Sequence, residues 1–303
     1  SHHFLYYFLL SDYFKKYLRD TQGGSTIVHL YQREFERFTF RAPEIAQQER
    51  IAEILSTVDA AIEQTQALIE KYGRIKRGLM QDLLTRGIDE NGNIRSKETH
   101  KFSVKSGIEV PDEWPVVRLV DMFSFPSGQV DPKREPYRDW YLVAPDHIES
   151  GTGRVLELRT AREQGAISGK YLFEKNDVVY SKIRPYLKKV FLANTYGLCS
   201  ADMYPLRPKA GLDSTYLLNL LLAEPFTRFA IAQSSRSGFP KLNRNEFSHF
   251  RTGLPPRDEQ IRISKVFTQI DTAIQGEEDA LKKSHSIKRG LMRDLLSGRK
   301  RLM

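Results

Sequence analysis

The chain has 303 residues, of which 40% are hydrophobic and 28% charged, a balance typical of a folded protein and not of a disordered one. Its single cysteine, Cys199, excludes an intramolecular disulfide and fits a reducing cytoplasm, and no apolar run reaches the roughly 20 residues that span a bilayer. The net charge of +9 favours a polyanionic partner over a merely basic protein.

The chain contains an internal repeat. The sequence Ile-Lys-Arg-Gly-Leu-Met stands at 75–80 and again at 287–292, an offset of 212 residues. Isolated matches keep this offset upstream, so that 1–87 and 213–299 are two versions of one segment. Residues 100–212 have no copy, and we expect that the natural beginning of the protein is missing.

The first segments predict a helix and an extended region. Residues 4–18 have the apolar face of a helix, 21–26 form a polar turn with two glycines, and 27–40 are expected to be extended. Pro43 then precedes a helix start, where proline is favoured.

A long helix is predicted at 46–84 and again at 258–296, each about 60 Å long at 1.5 Å per residue. Apolar residues that alternate three and four apart predict a heptad seam in both helices. The seam residues are Ile51, Leu55, Val58, Ile62, Ile69, Tyr72, Leu79 and Leu83 in the first helix and Ile263, Phe267, Ile270, Ile274, Leu281, Leu291 and Leu295 in the second.

The charges predict how the two helices pair. Each helix is acidic in its first half and basic in its second half. A parallel pair would place like charges together, whereas an antiparallel pair places acid on base, so an antiparallel coiled coil is favoured. Solvated faces are the alternative for many of these residues, since exposed pairs contribute little.

The middle of the chain predicts a strand-rich domain. Residues 88–110 form a polar linker, and 111–254 contain strands at 116–120, 140–144 and 204–207. Residues 177–184 and 187–194 alternate as a hairpin, and a helix is expected at 215–232. The predicted fold class is α+β, a strand-rich domain plus two long antiparallel helices.

Three basic groups are candidates for DNA contact. The hairpin carries Lys182, Arg184, Tyr186, Lys188 and Lys189, and a later loop carries Arg236, Ser237, Lys241, Asn243 and Arg244. A third, irregular stretch carries Gln129, Arg134 and Arg138. Lysine and arginine suit phosphate contacts, while arginine and glutamine also suit base edges. A solvated hairpin edge is the competing interpretation of the first group.

Signals of catalysis are weak. Asp112, Asp131 and Lys133 match a permissive nuclease pattern, but Pro132 fits poorly into the strand that would present it. No amino-methyltransferase motif, P-loop or metal-ligand spacing is present in the sequence. We predict no catalytic or metal-binding residue. The alternatives are a stand-alone metal-dependent DNA nuclease or DNA methyltransferase, or a coiled-coil adaptor that does not bind DNA.

Several motifs together resemble one family over essentially the whole chain. They are Leu-Pro-Pro-Arg-Asp-Glu-Gln at 254–260, the Lys-Arg-Gly-Leu-Met endings of both helices, the segment 48–59, Pro-Asp-Glu-Trp-Pro at 111–115, and the basic hairpin at 179–189. The chain thereby resembles the specificity subunit of type I restriction–modification enzymes. Such a subunit is non-catalytic and alternates two target-recognition domains with two helices of an antiparallel coiled coil.

The resemblance implies boundaries, partners and cofactors. Residues 1–42 would close a first recognition domain whose larger part is absent, 43–87 and 255–303 would contain the two coiled-coil helices with a basic tail, 88–110 the linker, and 111–254 the second recognition domain. It implies double-stranded DNA read as one half of a split target, two modification subunits that carry S-adenosylmethionine, and a restriction subunit that uses ATP and Mg. It implies no cofactor on this chain, no membrane, and a cytoplasmic location.

Overall fold

The computed structural model describes residues 1–21, 32–234 and 240–297. The chain forms two compact units, of which unit 1 is Ser1–Arg74 with Asp271–Met303 and unit 2 is Ile75–Ile270. Both long helices contribute residues to each unit. Unit 2 therefore begins earlier and ends later than the domain expected at 111–254.

The described residues form helices and short strands, which confirms the α+β class. The α-helices are α1 His2–Leu9, α2 Asp12–Thr21, α3 Gln32–Glu36, α4 Ile45–Thr85, α5 Ser214–Leu222, α6 Glu224–Ser234, α7 Arg244–Phe247 and α8 Arg257–Leu296. The strands are β1 Phe102–Lys105, β2 Ile108–Pro111, β3 Val116–Arg118, β4 Phe123–Ser124, β5 Tyr141–Val143, β6 Arg159–Thr160, β7 Tyr171–Phe173, β8 Val178–Ser181, β9 Val190–Leu192, β10 Gly197–Cys199, β11 Met203–Pro208 and β12 Arg251–Gly253.

The two long helices run antiparallel, as their charges predicted. In unit 1, Leu55 from the first half of α4 shares a buried core with Leu295 from the end of α8. In unit 2, Leu83 from the end of α4 shares a core with Phe267 from the first half of α8. Both helices begin and end within one residue of the predicted bounds.

The predicted seam residues lie on the inner sides of these helices. None of the fifteen is exposed. The fully buried ones are Ile51, Leu55, Ile62, Leu83, Ile263, Phe267 and Leu295, and the others are half-buried. Burial is therefore deepest where each helix also packs on the rest of its unit.

Unit 1 begins with two helices where the sequence predicted one. The Ser11 hydroxyl donates to the Phe8 carbonyl at 2.6 Å, and the Phe14 N–H donates to the Ser11 hydroxyl at 3.3 Å. Serine competes with the helical backbone for hydrogen bonds, so the chain turns at this residue. Phe4 and Phe8 of α1 then pack on the start of α4.

The extended segment expected at 27–40 is partly wrong. Residues 22–31, with most of the expected turn, lie outside the described part of the chain, but α3 is helical. The Phe14 ring contacts Phe35 at 6.0 Å and Phe38 at 5.0 Å between ring centres. Residues three apart lie on one face of a helical turn, so this packing favours a helix over a strand.

Unit 2 contains two four-stranded sheets, with strand orders β6-β5-β10-β7 and β4-β11-β8-β9. The predicted hairpin is present as antiparallel β8 and β9, with Val179 opposite Phe191. All four residues of β8 are buried, because Val179 faces a core between the sheets while Val178 and Tyr180 face the helices. The other strand predictions differ from β3, β5 and β11 by one or two residues at their ends.

The helix expected at 215–232 is broken at the repeat position that is equivalent to the break between α1 and α2. Its two parts are α5 and α6, and Ala223 between them has an extended backbone with ψ of 151°. Pro225 stands in the first turn of α6, where proline is tolerated, although it cannot continue α5. Ala223 and Ser11 are equivalent positions of the repeat, so a different residue type ends the helix in each copy.

The segment expected to be a loop at 88–110 is ordered by a buried ion pair. The Arg95 guanidinium pairs with the Glu259 carboxylate of α8, and their side chains are only 8% and 3% exposed. The same carboxylate accepts hydrogen bonds from the Ile88 N–H at 2.9 Å and the Trp114 indole N–H at 3.2 Å. Strands β1 and β2 then form a hairpin at the end of the segment.

The repeat extends to individual hydrogen bonds. In unit 1, Gln48 donates from Nε2 to the Pro43 carbonyl at 2.8 Å. In unit 2, the equivalent Gln260 donates from Nε2 to the Pro255 carbonyl at 2.9 Å. Each long helix is thus tied at its start to the proline before it, although the surrounding residues differ.

Candidate nucleic-acid interface

The turn between β8 and β9 carries the first predicted group. A 3₁₀ turn at Pro185–Leu187 is flanked by Arg184 and Lys188, whose φ angles of 49° and 48° lie in the left-handed region. Non-glycine residues adopt that region rarely, so the packing of the turn against α6 holds it in place. Tyr186 is exposed on the turn.

The second predicted group lies directly beside the first. The Arg184 N–H donates to the Pro240 carbonyl at 3.0 Å, and the Leu242 N–H donates to the Lys182 carbonyl at 2.8 Å. Lys241 lies between these two bonds. The structure therefore brings together two basic groups that are almost 60 residues apart in the sequence.

Arg244 packs its guanidinium on aromatic rings. Its Cζ lies 4.8 Å from the ring centre of Phe125, 5.4 Å from that of Tyr204 and 6.0 Å from that of Tyr171. The Lys182 Nζ lies 5.3 Å from the Tyr204 ring centre. Cations over aromatic faces are attracted by the ring quadrupole, so the rings hold both positive groups. These aromatic residues were not among the predicted contacts.

The cations of this cluster repel one another. Burial lowers the pKa of the Lys182 ammonium, Lys241 and Arg244 lower it further, and Asp202 opposes the shift. The Lys182 Nζ also donates to the Ala201 carbonyl. Positive charges held close together, with one carboxylate near them, favour an anion at this surface.

The remaining hairpin lysines, Lys188 and Lys189, are less available for contact with a phosphate. The Lys188 Nζ lies 3.0 Å from the Glu224 carboxylate of α6, and Lys189 is half-buried. A phosphate contact from Lys188 would first have to replace this ion pair.

The third predicted group is surrounded by acids. The Arg134 Nε lies 3.6 Å from an Asp131 oxygen, and Arg138 pairs with both Glu135 and Asp139. Phosphate binding by these arginines competes with carboxylates, so they are weaker candidates than the hairpin cluster.

A buried lysine near Gln129 was missed by the sequence reasoning. The Lys170 Nζ donates to the Ser168 carbonyl at 2.6 Å and to its hydroxyl at 2.7 Å, and burial lowers the pKa of this lysine. Gln129 is exposed, with its amide packed against Gly169. Lys170 precedes Tyr171, whose ring faces Arg244. Lys170 was not predicted because a single lysine after a glycine belongs to no motif and no group of basic residues in the sequence.

Three further predicted residues give no support for a DNA contact. Asn243 precedes α7, and its N–H donates to the Glu246 carboxylate, so its position serves the helix start. Arg236 and Ser237 lie outside the described residues. Of the predicted residues, Lys182, Lys241 and Arg244 form the cluster that the structure brings together most closely.

The residues of the weak nuclease match have local partners. The Asp131 carboxylate accepts the Lys133 N–H at 3.0 Å, and Asp112 lies in an exposed turn. Across the described ranges, no group of three or more His, Cys, Asp and Glu side chains is placed to hold a metal ion. Within the same ranges, no helix is both long and apolar enough to cross a membrane.

Comparison with known sequences gives one family. A model described as the type I restriction modification DNA specificity domain matches residues 1–71 and 111–283. The type I restriction enzyme EcoDI specificity subunit of Escherichia coli is 30% identical over 310 aligned residues, covering 96% of this chain and 69% of that protein. The MjaVIII specificity subunit of Methanocaldococcus jannaschii is 23% identical and covers 98% of this chain and 70% of that protein.

Solved structures share the fold. The S subunit of a type I restriction–modification system from M. genitalium aligns with a TM-score of 0.59 at 15% identity, covering 97% of this chain and 72% of that one. A structure that addresses complex assembly and conformational transition of the type I R-M system aligns with a TM-score of 0.55 at 16% identity, covering 97% and 70%.

Proposed function

Because the chain belongs to the family of type I restriction–modification specificity subunits, we propose that its unit 2 reads one half of a split DNA target. Specificity subunits are the non-catalytic DNA-recognition components of these complexes, so the chemistry belongs to other subunits. The stand-alone nuclease or methyltransferase and the adaptor that does not bind DNA are therefore set aside.

The cluster of Lys182, Lys241 and Arg244 carries this proposal. Burial and then the nearby Lys241 and Arg244 lower the pKa of Lys182, and Arg244 has no carboxylate partner among the described residues. A DNA phosphate would replace repulsion with attraction, and phosphate contacts supply much of the affinity of DNA-binding proteins.

The test is DNA binding by the assembled complex. The double variant Lys182→Gln with Lys241→Gln should weaken binding to all sequences. It should also reduce the slope of log affinity against log salt by about two, since each phosphate contact contributes about 0.9. Binding is measured by fluorescence anisotropy at several salt concentrations.

Lys175→Gln is the matched control. Lys175 is an exposed lysine next to the other end of β8, away from Lys182. This variant should keep the parental salt slope. Equal slopes for the parent and the double variant would show that this surface is not the DNA interface.

We further propose that two modification subunits dock on the paired helices α4 and α8. The repeat places the same exposed apolar residue on each helix, since Ile75 is 41% exposed and its equivalent Ile287 is 47% exposed. Each is followed by Lys-Arg-Gly. Equivalent exposed isoleucines suit two copies of one partner, because large apolar side chains are enriched at the centre of interfaces.

Native mass measurements of the complex test this stoichiometry. Ile75→Glu and Ile287→Glu should each release one modification subunit, and the double variant should release both. Leu156→Glu changes an exposed leucine away from these helices and should release none. A double variant that retains two modification subunits would contradict docking at these positions.

The other parts of the complex follow from the same proposal. S-adenosylmethionine would be held by the modification subunits, and ATP and Mg by a restriction subunit, in the cytoplasm where the DNA lies. Sequencing of methylated DNA distinguishes two readers from one. A split motif with two different halves requires two recognition surfaces, whereas a palindromic motif requires two copies of this one.

A further inference from the structure

Arg244 is held differently from the other cations of the interface. Its guanidinium packs on Phe125, Tyr204 and Tyr171, which come from three separate parts of unit 2. Phe125 follows β4, Tyr171 begins β7 and Tyr204 lies in β11. Residue 244 nevertheless remains exposed. The three rings thus hold the arginine without withdrawing it from solvent.

Ring packing leaves the N–H donors of this guanidinium available. Aromatic rings attract the positive charge but are weak hydrogen-bond acceptors, so they hold the group without using its N–H donors as a carboxylate would. In the described chain no carboxylate occupies those donors. The fork of N–H donors on an arginine is the group that binds the O6 and N7 atoms of guanine together in the major groove.

Lys182 and Lys241 present a different chemistry. An ammonium is a compact charge without a fork, and it attracts phosphates without distinguishing bases. The backbone bonds between the two segments hold these lysines beside Arg244.

We infer that Arg244 is a specificity-determining residue that reads a guanine, and that Lys182 and Lys241 bind the neighbouring backbone phosphates. This inference rests on the proposed function of unit 2, and it assigns separate roles to residues of one cluster. It also states a property of the unknown target, namely a G·C pair in the half-site that unit 2 contacts.

The experiment uses the full chain assembled with its modification subunits, with the methylated motif determined by sequencing. Arg244→Lys keeps the positive charge but removes the fork. It should reduce discrimination at one G·C position by roughly 5- to 150-fold, the usual range for one bidentate contact, and leave the other positions unchanged. The salt dependence of binding should stay parental.

A second variant predicts a change of preference. Glutamine binds adenine by the equivalent pair of contacts, so Arg244→Gln should shift the preferred base at that position from guanine towards adenine. Lys241→Gln should leave the motif unchanged and lower the salt slope by about one. Arg251→Lys, at an exposed arginine of β12, should change neither quantity.

The outcomes separate the inference from the proposed function. An unchanged motif in both Arg244 variants, relaxation at an A·T position, or equal weakening on all sequences would overturn the role of Arg244. If Lys241→Gln still lowers the salt slope, unit 2 remains the DNA reader. If none of the variants changes motif or salt slope, the interface itself is wrong. Assembly of each variant, checked by size-exclusion chromatography, ensures that folding is not the cause.

Discussion

In unit 1 the Lys288 ammonium lies 2.5 Å from the Asp59 carboxylate and joins the basic part of α8 to the acidic half of α4. The Tyr7 hydroxyl of α1 donates to the same carboxylate at 2.9 Å, and the Lys288 Nζ lies 5.6 Å from the Tyr7 ring centre. The two charged side chains are only 21% and 25% exposed, so solvent screens them less than it screens a surface pair. Three helices thus meet at one carboxylate.

Removal of the Lys288 charge should destabilise unit 1. Lys288→Met leaves the half-buried Asp59 carboxylate without its cation, and we expect the free energy of unfolding to fall by about 1.5–3 kcal/mol. Urea denaturation monitored by circular dichroism measures this change.

The control for Lys288 lies on the same helix. Lys283 is exposed, and Lys283→Met should change stability by less than about 0.5 kcal/mol. The exchange of Asp59→Lys with Lys288→Asp should recover part of the loss. Equal effects of the two methionine variants would show that the ion pair does not stabilise the antiparallel helices.

The Arg95–Glu259 pair should contribute more, because it is almost fully buried. Glu259→Ala leaves the buried Arg95 with only the exposed Glu113 carboxylate, 3.0 Å from its Nε, and also removes the acceptor for the Ile88 and Trp114 N–H groups. The expected loss is about 3–5 kcal/mol of unfolding free energy. Chemical denaturation followed by tryptophan fluorescence reports it, since Trp114 is itself buried there.

The repeat supplies a matched control for Glu259. Gln47 occupies the equivalent position of α4 and is only half-buried. Gln47→Ala should cost less than about 1 kcal/mol. If Glu259→Ala cost no more than this, the ion pair would not be what orders residues 88–114.

Gly87 gives an independent test of the same cluster. Its φ of 68° is left-handed, and a Cβ there would lie 2.1 Å from a Glu259 oxygen and 2.4 Å from the Trp114 ring. Gly92 also has a left-handed φ, of 85°, but open space around it. Gly92→Ala should therefore cost about 1 kcal/mol from backbone strain alone, and Gly87→Ala clearly more. Equal melting temperatures of the two variants would contradict the close packing.

Periodic parts of the fold were predictable from the sequence, whereas contacts between distant segments were not. The ends of α4 and α8 follow from heptads that run for some 40 residues, and a hairpin such as β8–β9 follows from local alternation. Arg95 stands in a polar stretch typical of a loop, and nothing local indicates that Glu259, 164 residues later, buries it. The break at Ser11 was missed because an apolar stripe continues across it.

The candidate site also has a part that was predictable from local sequence and a part that was not. Lys182 and Arg184 stand out because charge is concentrated in a short hairpin, and Lys241 and Arg244 because bases follow one another without an acid. The aromatic platform was missed because Phe125, Tyr171 and Tyr204 come from three strands or strand ends, and each has the apolar pattern of a core residue. Only the folded sheets bring these rings beneath Arg244.

The lowered pKa of Lys182 predicts how DNA affinity depends on pH. Burial and the neighbouring Lys241 lower this pKa from its usual 10.5, so Lys182 loses its positive charge earlier on alkaline titration than an ordinary lysine. DNA affinity should therefore fall as the pH rises through the lowered pKa. Titration of affinity at constant ionic strength from about pH 7 to 10 measures the decline.

The same shift has the opposite sign for folding. Between the lowered pKa and 10.5 the unfolded chain binds more protons than the folded one, so the contribution of Lys182 to stability rises with pH in this window. Lys182→Arg keeps its charge at alkaline pH, so its DNA affinity should decline less than that of the parent as the pH rises. Lys182→Gln should bind DNA more weakly than the parent at pH 7, and its affinity should also decline less as the pH rises. Parallel pH profiles of the parent and Lys182→Gln would mean that another group titrates at the DNA surface. Opposite trends of affinity and stability, both removed by Lys182→Gln, would assign the titration to this lysine.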